Sequence, residues 1–370
     1  MSKAAELANL IGNINAGGGG VNRNVIINGA MNVAQRGTSS TGLGASSGYF
    51  TVDRHNLDFS STAGRLTMTQ DSSAPSGFAN SMKLACTTAD TSIAAGEQLR
   101  INTRIEGQNL QGFAKGTSDA KPFAVSFYVK GNASATYVCE LYDNDNTRQV
   151  SKTFNVTTDW TRVELSFPAD TTGAFGDDNG LSFLLQIWIH AGSNFTSGTL
   201  NTTWASTTNA NRAVGISSFF DSTDRTFFIT GVQLEVGQNP TEFESEPYER
   251  TLAKCQRYCQ RHPSQDPSSG SGYNIIGDGH NDTTGNHIAS IVHFVPMRAD
   301  TTITVSGNTR VHHKGTGTAT SSVAIDDNIS NANRTGLNCG VSGTPLTAGE
   351  GGYLEQNNDT DAHIILDSEL

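Results

Sequence analysis

The 370 residues carry 35% hydrophobic and only 16% charged side chains, with 39 glycines and a visible excess of Ser, Thr and Asn. Ser, Asn and Gly compete with or weaken helical hydrogen bonding, so this composition favours turns and strands over helices. Low charge argues against a disordered chain. Lys plus Arg number 24 against 35 Asp plus Glu, a formal net charge of −11, which repels phosphate backbones and argues against nucleic-acid binding.

The five cysteines, Cys86, Cys139, Cys255, Cys259 and Cys339, are too sparse for a disulfide framework and are expected as reduced thiols of a protein made in a cytosol. Met1 to Ile11 holds one lysine and a short amphipathic run, which is not the apolar core of a secretion signal. No stretch approaches the ~20 apolar residues of a membrane span, so membrane insertion is not expected. Proteins released by cell lysis, such as virion parts, fit both features.

In chain order, Leu7, Leu10, Ile11 and Ile14 fall at helical spacing, so residues 2–14 are expected to be a helix with one apolar face. So short a helix is marginal alone. Its stripe reads as an anchor for copies of itself or for another protein, tethered by the flexible joint Gly17 to Gly20. A helix folded back on its own domain is the alternative.

From Val21 to about Tyr248 the period is two. Phe123, Val125, Phe127 and Val129 alternate with smaller or polar residues, as do Thr161 to Phe167 and Val232 to Val236, which marks half-buried antiparallel strands. In the last of these, Gln233 and Glu235 are expected to face water or a neighbouring subunit. Leu181 to Ile189 is nearly all apolar and reads as a central strand covered on both sides. Clusters of Gly, Asn, Asp and Ser punctuate these runs, the pattern of a sandwich or jelly roll. Near Pro247 the period becomes helical, with Leu252, Cys255, Tyr258 and Cys259 on one face up to His262-Pro263, and a polar linker runs to Gly272. Beyond it, 273–370 returns to β patterning at His287 to Val295, Thr301 to Val305, Ser321 to Ile325 and His363 to Leu366. The resulting division is an anchor helix and joint (1–20), a sandwich (21–248), a short helix and linker (249–272) and a smaller β domain (273–370).

Chemistry-bearing motifs are few. Gly44-Ala45-Ser46-Ser47-Gly48 matches the letters of a nucleophile elbow, but a Ser/Thr/Gly-rich stretch precedes it and no helix pattern follows, so it reads as a loop. His312 and His313 are adjacent, so in a strand they point to opposite faces; His280 and His287 read as part of a Gly-rich loop. Asp143, Asp145, Asp177 and Asp178 lie in oxygen-rich loops at strand ends and are candidate ligands for a structural Ca²⁺, against the plainer reading of Asx-rich turns. No other cofactor is expected. Trp188, pointing opposite to Ile187 and Ile189, and Trp204, in a Thr-rich loop, are candidate sugar-stacking residues; core packing is the alternative for both.

The stretch Asn24-Val25-Ile26-Ile27-Asn28-Gly29-Ala30-Met31-Asn32-Val33-Ala34-Gln35-Arg36-Gly37 resembles the "NLIINGAMQVAQRG" opening of a family of tailed-phage structural proteins. The resemblance continues in order through Tyr49 to Arg54 (similar to "YTVDRW", with His55 in place of Trp), Phe127 to Lys130, Asp159 to Arg162, Gly231 to Gly237 (similar to "GVQLEVG"), Leu252 to Cys259 and Val295 to Arg298. It implies a tail-fibre or other virion structural protein with a carbohydrate-binding-module type jelly roll. It also implies a homotrimer held to other tail or virion proteins through the N-terminus, and attachment to host surface glycan. It carries over no catalytic residue, so no enzymatic activity is expected. The recurring residues have architectural readings: Asn28-Gly29 is a tight-turn dipeptide, and Asp53 beside Arg54 suits a charge-assisted pair. A head-decoration or tail-adaptor protein without receptor binding, and a polysaccharide depolymerase, are the competing functions.

Overall fold

The computed structural model describes residues 2–15, 22–264 and 272–370. The described chain is nearly all β, and it divides into a unit of Met1–Thr251 with Leu370, and a second unit of Leu252–Glu369. The chain passes from one to the other inside the helix Tyr248–Gln256.

The first unit is a sandwich. One sheet has six strands in the order Ser39–Leu43, Arg65–Asp71, Ser81–Thr88, Thr226–Val236, Phe123–Gly131, Thr161–Phe167. The other has seven, in the order Ala205–Ser206, Arg148–Val156, Ala135–Asp143, Leu181–Ala191, Gln98–Glu106, Asn56–Ser60, Gly48–Tyr49. All the pairings are antiparallel. Alternation sends Phe123, Val125, Phe127 and Val129 of one sheet and Phe183, Leu185, Ile187 and Ile189 of the other into a single core. Aromatic edges fill it: Phe127 meets Phe154 at 5.0 Å and Tyr137 meets Phe227 at 5.6 Å, both near-perpendicular. Each such ring contributes roughly 1.5–3 kcal/mol by leaving water. Leu181–Ala191 is buried over nearly all its length and sits inside its sheet, as its unbroken apolar run predicts.

The residues before the first strand are tied across the strand Thr226–Val236. Asn24 accepts from the N–H groups of Ile26 and Leu234 and donates to Val232 O. The buried Asn28 side chain closes its own turn by accepting from Val33 N and donating to Val33 O, and it donates to Asp53 O. Asp53 accepts both the backbone and side-chain N–H of Gln35, while Arg54 donates to Arg104 O. Gln233 and Glu235 do not face water. Both are fully buried, because residues 241–244 fold over them: Glu235 accepts from Thr241 N and Oγ1, and Gln233 accepts from Glu244 N. Three of the blocks that carry the resemblance thus meet in one hydrogen-bonded seam.

In the second unit six strands close into a barrel, in the order Ile275–Asn281, Asn286–Val292, Arg334–Val341, Thr316–Ile325, Thr309–His313, Gly351–Gln356. A three-stranded sheet of Cys259–His262, His363–Asp367 and Thr302–Ser306 completes it. Ile276, Ala289, Ile291, Val311, Leu337, Leu354, Ile364 and Leu366 form its core. The helix expected to reach His262 ends at Gln256, and Cys259–His262 is a strand paired with His363–Asp367. His280 and His287 lie on strands rather than in a loop, the first exposed and the second buried. His313 is buried and His312 faces out, as adjacent strand positions require. None of the five cysteines is in a disulfide.

The N-terminal helix spans Lys3–Asn15. Leu7 and Ile11 are exposed on it. The side chains of Leu10 and Ile14, the glycine joint and most of the polar linker lie outside the described residues.

Two outcomes follow. A Cβ at Gly29 would lie 2.1 Å from Val232 O, so Gly29→Ala should cost about 1–3 kcal/mol of overpacking in a urea melt. Burial holds His55, His262 and His287 at a pKa of about 4 against an ordinary 6.5, and His190, His293 and His363 are lowered by the same cause. The folded state keeps these rings neutral, so the unfolded chain takes up protons first as pH falls. Stability is therefore lost progressively from about pH 6.5 down to about pH 4. Melts recorded across that range should show a falling midpoint; an unchanged one refutes the linkage.

Candidate functional site

Side chains that alternate away from the sandwich core line the outer face of the seven-stranded sheet. Register sets Asn56, Asn102, Gln186, Glu140 and Ser151 in one row across five strands. Asp58, Arg100, Trp188, Val138 and Thr153 form the next row. Such a face is usually wet, yet Asn102, Glu140, Gln186 and Trp188 are each at most 2% exposed. The cover comes from residues 192–217: Phe195, Leu200, Ala213 and Ile216 pack with Trp188 and Val138, and Arg212 reaches down to the row.

Arg212 grips Glu140 in a fork, Nε to Oε1 at 3.0 Å and Nη2 to Oε2 at 2.8 Å. Trp188 Nε1 donates to the same carboxylate at 2.8 Å. Arg212 also donates to Gln186 Oε1, and Gln186 Nε2 donates to Asn102 Oδ1. Beside this floor Arg100 is paired with Asp58. Both guanidinium groups lie over the Trp188 ring, at 4.7 and 5.0 Å from its centre, and Arg212 also lies over Tyr142 at 4.8 Å. Burial lowers the Arg100 pKa, against the attraction of Asp58. Asp58, Arg100 and Tyr142 are partly exposed and form a rim above the buried floor. On the same face Asn56 Oδ1, Arg100 Nε, Gln149 Oε1 and Ser151 Oγ have no hydrogen-bond partner within the protein. The arrangement is a preordered array of planar donors and acceptors. Its buried carboxylate is taken up by the Arg212 fork and the Trp188 indole.

This geometry corrects the tryptophan reading. Trp188 does point away from the core, but it is fully covered and offers no face for stacking. Trp204 is half-buried against Phe123 and Phe183, with its Nε1 donating to Pro168 O. Both are packing residues.

It corrects the calcium reading as well. Asp143 is fully buried and its carboxylate is taken by the Lys115 ammonium at 2.5 Å. The same ammonium meets Asp170 at 3.1 Å and donates to Thr172 O and Gly173 O. The cation among these oxygens is therefore the chain's own lysine. Asp145 caps Gly176 N, Asp178 caps Gly180 N, and Asp177 is exposed on the turn. Among the described residues no group of three or more His, Cys, Asp or Glu side chains is placed to hold a metal. Asp170 is buried, which works to raise its pKa, but hydrogen bonds from Arg148, Thr172 N and Lys115 bring it below its ordinary value.

The alternation Gln98, Arg100, Asn102, Arg104 was a legible sign of a polar outer face. Arg212, in an Asn/Ala-rich loop, gave no signal at all.

No family model and no curated protein matches the chain. Among solved structures, a CBM4 carbohydrate-binding module aligns over 57% of this chain and 99% of its own, at 11% identity and TM-score 0.29. A family 11 carbohydrate-binding module from Clostridium thermocellum, in complex with a mixed-linked tetrasaccharide, aligns over 55% and 98%, at 9% identity and TM-score 0.27. The enzymatically active domain of Bacteriophage CBA120 tailspike protein 4 aligns over 58% of this chain but 21% of its own, at 11% identity and TM-score 0.31. At scores this low the likenesses assign nothing.

Replacing Lys115 by Met should strand the buried Asp143 carboxylate, while Asp170 keeps Arg148, and cost about 3–5 kcal/mol, read as a lower urea midpoint. A loss under about 1 kcal/mol, the range of a surface pair, would refute the buried cage.

Proposed function

We propose that this chain is a non-enzymatic structural subunit of a phage virion, of the tail-fibre type, which takes part in attachment to host surface glycan. The ordered series of blocks from Asn24 to Arg298 supports the virion assignment. The single observation that supports glycan contact is the partly exposed rim of Asp58, Arg100 and Tyr142, fixed in place by the buried amides and carboxylate beside it. Sugars present many hydroxyls that each need a donor or an acceptor. A preordered polar rim meets them without first losing side-chain freedom. Individual contacts of this kind are weak, and several copies in a homotrimer would strengthen them by multivalency. The exposed Leu7 and Ile11 on the N-terminal helix suit docking to another virion protein. The Glu140 carboxylate, locked by Arg212 and Trp188, suits binding rather than acid–base work.

The purified full chain should bind glycans on an array of bacterial surface polysaccharides. Arg100→Ala should weaken that binding about tenfold or more, the worth of one charge-assisted hydrogen bond. Absence of any bound glycan would remove the attachment role and leave a head-decoration or tail-adaptor subunit. Polysaccharide shortened on incubation would instead establish a depolymerase.

A further inference from the structure

The barrel of the second unit carries on its outside a cluster that the sandwich face does not involve. Alternation turns Val311, His313 and Leu354 inward, so Arg310, His312, Tyr353 and Glu355 belong to the outer side. Register places Arg310 opposite Glu355 and His312 opposite Tyr353. On the other edge of the same strand Tyr353 stands opposite Asp278, and Asp278 opposite Ser290.

These side chains hold one another in fixed poses. Glu355, 3% exposed, accepts from Arg310 Nε at 2.7 Å and faces His312 Nδ1 at 3.0 Å. The Arg310 guanidinium lies 4.3 Å from the centre of the exposed Tyr273 ring. It can lie flat because residue 317 is glycine: a Cβ there would sit 2.6 Å from Arg310 Nε and Cζ. The His312 and Tyr353 rings stack at 5.1 Å and 14°. That stack covers one face of Tyr353 and leaves the other uncovered by His312. Asp278, next to Tyr353 in register, is exposed.

We propose that Tyr353 and Asp278 form a binding platform for a neutral pyranose. The apolar C–H face of a sugar ring is weakly positive and suits the negative face of an aromatic ring. A carboxylate beside that ring accepts two neighbouring hydroxyls, as ionised acceptors do best. The immobilised Tyr353 pays little ordering entropy on binding. A uronic acid would bring its own carboxylate towards Asp278, and like charges at that distance repel, so the platform selects neutral sugars. The cluster lies wholly in the second unit and does not depend on the reading of the sandwich face.

Saturation-transfer NMR on the full chain, with galactose, glucose and glucuronic acid as probes, tests this. At least one neutral hexose should receive transfer, with glucuronic acid receiving less. Tyr353→Ala and Asp278→Asn should each weaken the neutral sugar about tenfold, and Asp177→Asn, on an exposed turn of the sandwich, should leave it unchanged. Asp278→Asn changes an exposed side chain, so its effect is read on a folded barrel. No transfer to either hexose, transfer that survives both substitutions, or equal transfer to glucuronic acid would each overturn the proposal. Loss of the signal in Arg100→Ala alone would place the sugar on the sandwich and overturn it too.

Discussion

The outer face of the seven-stranded sheet is organised around one buried charge. An ionised carboxylate at the position of Glu140 costs several kcal/mol to remove from water unless donors replace the lost solvent. Trp188 supplies one donor from the neighbouring strand. The others come from Arg212, which no strand can deliver. The segment 192–217 must therefore fold back across the sheet, and its apolar residues then close over Trp188 and Val138. Gln186 and Asn102 are aligned by the same guanidinium. One ion pair thus decides where the covering loop sits, why the indole is hidden and which side chains remain at the rim.

The blocks that resemble phage structural proteins obey a similar logic at another place. Asn24, Asn28 and Asp53 satisfy backbone groups of the segment before the first strand, which has no sheet partner of its own. Gln233 and Glu235 do the same for the segment 241–244. A buried amide or carboxylate left without partners costs about 1–3 kcal/mol or more, so these positions tolerate little change. What they secure is the crossing of the N-terminal segment over the strand Thr226–Val236. Their role is architectural, as the sequence suggested, although the partners differ: Gln233 and Glu235 bind their own chain and not a neighbouring subunit.

Periodicity made most of the fold legible. It marks which side of a strand is apolar, and it found the strands around Phe123, Thr161, Val232, Thr302 and His363, and the doubly covered Leu181–Ala191. It does not say what lies over the polar side. For that reason Gln233 and Glu235, expected to face water or a neighbouring subunit, proved buried, and Trp188, a stacking candidate with core packing as its alternative, proved covered. The i, i+4 spacing of Cys255 and Cys259 imitates a helix, and only the pairing of Cys259–His262 with His363–Asp367 reveals a strand. Barrel closure depends on the long-range pairing of Ile275–Asn281 with Gly351–Gln356, for which no local signal exists. The acidic loops were read as candidate Ca²⁺ ligands against plain Asx turns, and Asp145 and Asp178 proved to cap backbone N–H groups while Asp143 takes the Lys115 ammonium. A lysine nearly 30 residues from Asp143 in sequence is a partner that loop composition cannot name.

Buried charges and buried neutral rings occur in both units. In the sandwich, buried carboxylates are matched by cations: Glu140 with Arg212, Asp143 and Asp170 with Lys115. Such pairs strengthen the fold at any pH where both partners stay ionised. In the barrel, His287 and His313 are buried as imidazoles, with Nε2 of the first and Nδ1 of the second unpartnered within the protein. Burial first, and then the charges of His280 and His313, lower the His287 pKa. It is brought to about 4, so acid works against the folded state at that ring. The buried rings of His55 and His190 in the sandwich and of His287 in the barrel thus link the stability of both units to pH in the same direction.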